Sequence, residues 1–266
     1  MQSTTSFQRN DLSRNSFDPL SPELFDIISY PRFEVKEYLD RIKEIESLGV
    51  KFIISSGRLE IGRFEITGKG CVGLVVRSKS HDNRICALKI RRIDANRFDM
   101  HQEVRLHTIA NSVGIGPKIL DHSKNIILME FVEGLSIADW IERDDNIADS
   151  ETVLRVVSDI LKQCYVLDKI HLDHGQLSYL NHHVIISESA RVTIIDFESA
   201  SELRRTSNVT CASHSLLLRG CISEKINDIL CLQNKKERLV HTLKLYKLSQ
   251  SGENFEKILC LLQKDN

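Results

Sequence analysis

Residues 64–90 read FEITGKGCVGLVVRSKSHDNRICALKI. Three β-prone runs lie in this stretch, divided by a glycine-rich segment and by the turn-formers His81, Asp82 and Asn83. Gly68, Gly70 and Gly73 form a G-x-G-x-x-G, and its context decides its meaning. A dinucleotide-binding turn runs from a strand into a helix, whose N-terminus receives the pyrophosphate. Here the residues after Gly73 (LVVRS) are β-branched and strand-like. A strand, glycine loop and strand lay a hairpin over phosphates. Glycine serves there because backbone N–H groups must approach without a side chain in the way.

Working outward, Lys89 sits 21 residues past Gly68 among Ala87, Leu88 and Ile90. A lysine buried among apolar strand residues needs a partner. Glu103, 14 residues further on, shares a helical face with Met100, Leu106 and Ala110 in a helix expected over about residues 96–113. Glu60 and Glu65 are weaker candidates. Next, a strand ends in Met129, Glu130, Phe131 and Val132, followed by Glu133-Gly134. Two further motifs are HGQLSYLN (174–181) and IIDFES (194–199), with a hairpin expected between them near residues 184–196. Asp196 lies in the apolar run VTIIDF, where an unpaired carboxylate would be expensive and a bound metal would account for it.

The rest of the chain bounds these readings. It has 266 residues, 41% apolar and 27% charged, enough for a core without disulfide or metal staples. The formal net charge is −1, which gives no general pull toward nucleic acid or anionic membrane. Seven cysteines occur at scattered positions with no C-x-x-C spacing. Cys71, Cys86 and Cys164 read as small buried hydrophobes, and a reducing cytoplasm is the expected compartment. No apolar run approaches the ~20 residues of a membrane span. Residues 34–48 form an amphipathic helix stopped by Gly49, and residues 151–170 a second, with Leu154, Val157, Leu161, Cys164 and Leu167 on one face.

In this order and spacing, the motifs resemble those of protein kinases. The resemblance implies an α+β, two-lobed protein-kinase-like fold, with a small β-rich N-lobe holding one main helix and a mostly helical C-lobe. Its divisions would be a flexible tail (1–20), an N-terminal helical extension (21–49), the N-lobe (50–128), a hinge (129–134) and a reduced C-lobe (135–266), with the cofactor in a cleft. It further implies that Gly68, Gly70 and Gly73 cover the phosphates of ATP, with Lys89 held toward them by Glu103. Met129 would guard the back of the adenine pocket, and the backbone of Glu130 and Val132 would meet the adenine edge. Asn181 and Asp196 would bind Mg²⁺.

The chain departs from that pattern in three places. Gln176 stands where the catalytic aspartate is usual, and an amide orients a hydroxyl without acting as a base. Asp173, His174 and Glu198 are the neighbours that could compensate; His174 would titrate nearest neutrality, but as the usual first residue of this loop it is expected to be structural. Glu198 replaces the usual glycine, as in choline-kinase-like and aminoglycoside-kinase-like enzymes. No proline follows Pro117, so the Ala-Pro-Glu motif is absent. These features resemble the minimal kinases: the RIO family, the small kinase of the KEOPS complex, and a group of archaeal Ser/Thr kinases. The expectation is a slow or autophosphorylating Mg²⁺/ATP-dependent Ser/Thr protein kinase. Its catalytic set would be Lys89, Gln176, Asn181 and Asp196, and its partner a protein substrate or itself. The alternatives are a nucleotide-binding pseudokinase and a small-molecule kinase. Arg204 and Arg205 are candidate contacts for a phosphate or an acidic substrate, and Thr206 or Ser207 candidate phosphorylation sites.

Overall fold

The computed structural model describes residues 15–143 and 149–263, and these fall into two units. The first holds residues 15–105 and 118–131; the second holds the remainder. In chain order the first unit contains β1 (Ser16–Phe17), α1 (Phe25–Ile28), α2 (Val35–Ser47), β2 (Val50–Ile54), β3 (Leu59–Ile61) and β4 (Phe64–Ile66). Then come β5 (Gly68–Lys69), β6 (Gly73–Ser80), β7 (Ile85–Arg91), the start of α3 (His101–Ser112), β8 (Ile119–His122) and β9 (Ile126–Glu130).

Alternation along β6 and β7 organises this unit. Their antiparallel register sets Leu74 against Ile90 and Val76 against Leu88 on one face, and Val75 against Lys89 and Arg77 against Ala87 on the other. The whole sheet is antiparallel in the order β1-β2-β6-β7-β9-β8, with β5 on β6. Leu74, Val76, Leu88, Ile90, Ile126 and Leu128 pack with Leu24, Ile27, Ile28, Tyr38, Ile42 and Ile45 in one apolar core. Each such fully buried side chain is worth about 1.5–3 kcal/mol.

The N-terminal segment is therefore built into the sheet's unit. The α2 helix ends at Gly49, whose φ of +69° suits a residue without a Cβ. Arg41 is fully buried, donates to the Ile28 carbonyl at 2.7 Å, and is pulled down to about 10 chiefly by that burial. Glu44 accepts from the Asn125 backbone and side-chain nitrogens at 2.8 and 2.6 Å, tying α2 to the β8–β9 turn. Most of the expected tail, residues 1–14, lies outside the described residues. Within residues 15–20 the expectation is corrected, because Ser16 and Phe17 pair with Ile54 and Ile53. The α3 helix begins later than expected: the Asp99 carboxylate accepts the His101 N–H at 3.1 Å and starts the helix there. Cys86 and Cys164 are buried, but Cys71 is exposed at the glycine-rich turn.

The second unit carries β10 (Leu135–Ser136), α4 (Ile137–Glu142), α5 (Ser150–Lys169), β11 (Val184–Ile186), β12 (Val192–Ile194), α6 (Asn208–Ser213), α7 (Cys221–Leu230), α8 (Lys236–Leu248) and α9 (Gly252–Leu262). Asp149 caps α5 by accepting the Thr152 N–H at 2.7 Å. The α5 side chains Val153, Val157, Ile160, Leu161, Cys164 and Leu167 lie in the core of this unit. The hairpin β11–β12 gains β10 as a third antiparallel strand. A β-rich N-terminal unit and a helical C-terminal unit together make the expected α+β fold class.

Candidate functional site

In the first unit, Gly68 and Lys69 pair with Val75 and Leu74, and the Gly70 N–H donates to the Gly73 carbonyl at 2.8 Å. The glycines are not equivalent. A Cβ on Gly73 would come 3.0 Å from the Ile90 carbonyl oxygen and 3.2 Å from Lys89 Cγ, whereas one on Gly68 would meet Val75 at an ordinary 3.6 Å. Gly73 is therefore what lets the Lys89 side chain pass. The Lys89 Nζ donates to Glu103 Oε1 at 2.6 Å, and the side chains are only 5% and 3% exposed. Each charge compensates the other out of water, where either alone would cost several kcal/mol.

The register places Ala87, Lys89, Ile127 and Met129 on one face of the sheet, opposite the face covered by α2. Glu130 closes β9; its N–H donates to the Lys118 carbonyl at 2.9 Å, and its carboxylate accepts the Lys118 N–H at 3.2 Å. Phe131 is the last residue of the first unit and stacks under the Arg77 guanidinium at 4.7 Å. Val132 begins the longer segment of the second unit, so residues 129–134 contain one of the three points where the chain passes between the units.

In the second unit, Gln176 precedes the short 3₁₀ segment Leu177–His182 that carries Asn181. Its Oε1 is out of solvent and has no hydrogen-bond partner among the described residues. Asp196 follows β12 with φ of +70°, a left-handed conformation that costs a non-glycine residue about 1–2 kcal/mol. Its carboxylate keeps 26% of its exposure and lies 3.9 Å from His183 Nδ1. Such strain at a partly exposed carboxylate makes Asp196 a candidate functional position. Among the described residues no three His, Cys, Asp or Glu side chains gather into a metal cage. The oxygen donors of Asn181 and Asp196 fit Mg²⁺, which takes one or two protein ligands beside phosphates and water.

Phe197, beside Asp196, is fully buried with the His107 ring stacked on it at 4.8 Å and the His174 ring edge-on at 5.1 Å. His174 Nε2 lies 3.0 Å from the Ile195 carbonyl, which can only accept, so that nitrogen carries the proton. Burial pushes the imidazole down to about 4. His174 is therefore the neutral, structural group expected of the loop's first residue, and only the expectation that it titrates near neutrality is corrected. Asp173 is likewise engaged. Arg204 Nε donates to it at 2.9 Å, the Ser207 N–H at 3.2 Å, and its side chain is 8% exposed. Arg204, a candidate for binding phosphate, is thus committed to Asp173 and to the Ser199 carbonyl. Arg205 donates to the Lys247 carbonyl, and Thr206 is buried against Gln250.

Sequence reasoning missed the residues that hold this loop from beneath. Asp168 accepts from the Asn208 N–H and Nδ2 at 2.9 Å each, from the Val209 N–H at 3.2 Å and from the Tyr246 hydroxyl at 3.0 Å. Burial pushes its carboxyl up despite these donors. Asn208 in turn accepts the His174 N–H at 2.9 Å and donates to the Leu172 carbonyl. One signal was available: Asp168 is a charge next to Cys164 and Leu167, on the apolar stripe of α5.

Comparison with known proteins places this geometry. Residues 77–211, 135 of the 266, match the model of the RIO domain. The match includes Lys89, Glu103, Asn181 and Asp196 and begins after the glycine-rich turn. MJ1211, an uncharacterized protein of Methanocaldococcus jannaschii, is 31% identical over 102 residues, covering 38% of this chain and 83% of that protein.

Proposed function

This chain belongs to the RIO domain family, a protein-kinase-like family of atypical kinases, and from that premise we propose that it is a slow Mg²⁺- and ATP-dependent Ser/Thr protein kinase. The observation that carries the reading is the buried Lys89–Glu103 pair lying against Gly73. A structural ion pair is no more stabilising than apolar packing of the same volume, so retaining one here argues for work on phosphate. Lys89 would hold the phosphates, the glycine-rich turn would cover them, and Met129, Glu130 and Val132 would meet the adenine. Asn181 and Asp196 would hold Mg²⁺, which supplies neutralisation of phosphate charge when bound.

Gln176 limits the rate in this reading. Its amide, once the side chain turns outward, would accept the hydrogen bond of a Ser or Thr hydroxyl and aim the oxygen at the γ-phosphorus, but it takes no proton. Phosphoryl transfer relies mainly on positioning and charge stabilisation, so the reaction survives without a base. General-base assistance is typically worth ~10²–10⁴ in rate, which sets the expected deficit. The acceptor is a protein or the chain itself, and the compartment is the cytoplasm. Among the described residues no helix is long and apolar enough to cross a membrane.

The test is transfer of label from γ-labelled ATP with Mg²⁺, to generic proteins and to the chain itself, beside an Asp196→Ala variant. Transfer by the wild type alone is expected; equal transfer by both proteins would sink the kinase reading. Gln176 in place of the catalytic aspartate favours a second reading, a nucleotide-binding pseudokinase acting as switch or scaffold. Binding of ATP without transfer under any condition would select it. The small-molecule-kinase alternative is motivated by the Asp196-Phe197-Glu198 sequence, which such enzymes share, and transfer of label to a small hydroxyl compound but to no protein would select it.

A further inference from the structure

Tyr30 lies well before the family match begins, yet its ring reaches the glycine-rich turn. The Lys69 Nζ sits 4.9 Å from the ring centroid and the Arg92 guanidinium carbon 5.2 Å from it. Arg92 Nη1 also donates to the Gly70 carbonyl at 3.0 Å, and the Arg92 N–H to the Val72 carbonyl at 2.8 Å. Asp94 takes the opposite side of the same guanidinium at 2.8 and 2.7 Å, which fixes its plane. The Tyr30 carbonyl accepts the Ile93 N–H at 2.9 Å, so the ring is anchored at the end of β7. Three of the turn's residues, Lys69, Gly70 and Val72, are thereby tied to one aromatic ring and one arginine.

Two cations drawn to one ring repel each other, and the negative face of the π-system offsets that repulsion. Arg92 is engaged by Asp94 and the Gly70 carbonyl and so fixes the turn, while the exposed Lys69 ammonium is held beside the turn's backbone, a combination suited to phosphate oxygens. We propose that Tyr30 is a positioning residue for the glycine-rich turn, gathering Lys69 and Arg92 so that the turn is shaped for a triphosphate before nucleotide arrives. The proposal rests on the reading that this turn covers the phosphates of ATP. It gives the N-terminal segment a part in the nucleotide site beyond packing on the sheet.

The test compares full-length wild type with Tyr30→Phe, which keeps the π face, and Tyr30→Leu, which keeps only apolar bulk. Three quantities are read: the Kd for Mg²⁺–ATP by calorimetry, hydrogen exchange at the Gly70 amide without nucleotide, and the melting temperature. Tyr30→Phe should match wild type. Tyr30→Leu should bind ATP about 5- to 10-fold more weakly and exchange the Gly70 amide about 10-fold faster, well below its melting point. A lower melting temperature in Tyr30→Leu with unchanged affinity and exchange would reduce Tyr30 to packing and overturn the proposal, as would equal impairment of both variants. Should wild type fail to bind ATP, the kinase reading falls, while Gly70 exchange still decides whether Tyr30 shapes the turn.

Discussion

Lys89 Nζ and Glu103 Oε1 lie 2.6 Å apart, with both side chains nearly removed from solvent. A strand position and a helix position 14 residues apart have thus been brought into one buried pair. The role proposed for Lys89 and the stability of the fold meet at this contact, and substitutions can separate them.

Glu103→Ala leaves a buried ammonium uncompensated and should cost about 3–5 kcal/mol of stability in urea denaturation. The double variant Lys89→Met with Glu103→Leu removes both charges at similar volume and should recover most of that loss. It should transfer no label from ATP. A double variant as unstable as the single one would mean that the pair stabilises beyond mutual compensation.

Gly73→Ala and Gly68→Ala should differ sharply although both alter one motif. The Gly73 methyl would press on the Ile90 carbonyl oxygen and Lys89 Cγ at 3.0 and 3.2 Å, whereas the Gly68 methyl fits at 3.6 Å from Val75. Displacing Lys89 by a fraction of an ångström should lower kcat/KM roughly 10- to 100-fold, with Gly68→Ala near wild type. Similar kinetics for the two variants would remove Gly73 from its spacing role.

His174 sets a pH dependence of stability. Its folded value of about 4 lies below the ordinary 6.5, so the unfolded chain takes up the proton first as pH falls. The stability that neutral His174 contributes is complete above about pH 6.5 and is lost progressively down to about pH 4, by roughly 3 kcal/mol in all. Asp168, pushed upward, contributes with the opposite sign. Unfolding free energies of wild type and His174→Gln between pH 7 and 4 isolate the histidine, and the variant should show the shallower decline. Parallel curves would mean that the imidazole is charged in the folded protein.

Gln176→Asp supplies the missing carboxylate. If the rate deficit lies in proton removal, transfer should rise on the order of 10²-fold with little change in the Kd for ATP. A variant that binds ATP as before but transfers no faster would place the deficit elsewhere and support the pseudokinase reading.

The sheet face bearing Lys89 was legible in the linear order, because turn-formers bracket each strand and strand period alternates Leu88 and Ile90 with Ala87 and Lys89. Glu103 was legible for the matching reason: helix period sets it with Met100 and Ala110, all of them buried. The spacing of Gln176, Asn181 and Asp196 could be read because loop and hairpin are contiguous in the chain. Local periodicity needs no knowledge of what packs on it.

The rest depended on contacts between distant residues. Two-residue strands such as β1 and β10 carry no periodic signal and exist only because an edge is there to pair with. The partners of Asp168 lie 40 and 78 residues away, and the bond between Arg204 and Asp173 spans 31. The depressed titration of His174 follows from full burial under Phe197 and its neighbours, which no flanking residue announces. The sequence alone settled which residue types stand at the glycine turn, the lysine, its glutamate and the two oxygen donors. Folding decided how far each nearby charge is enclosed, because desolvation and pairing arise from what the tertiary structure lays over each group. It left Asp196 partly open and closed Asp173 and His174.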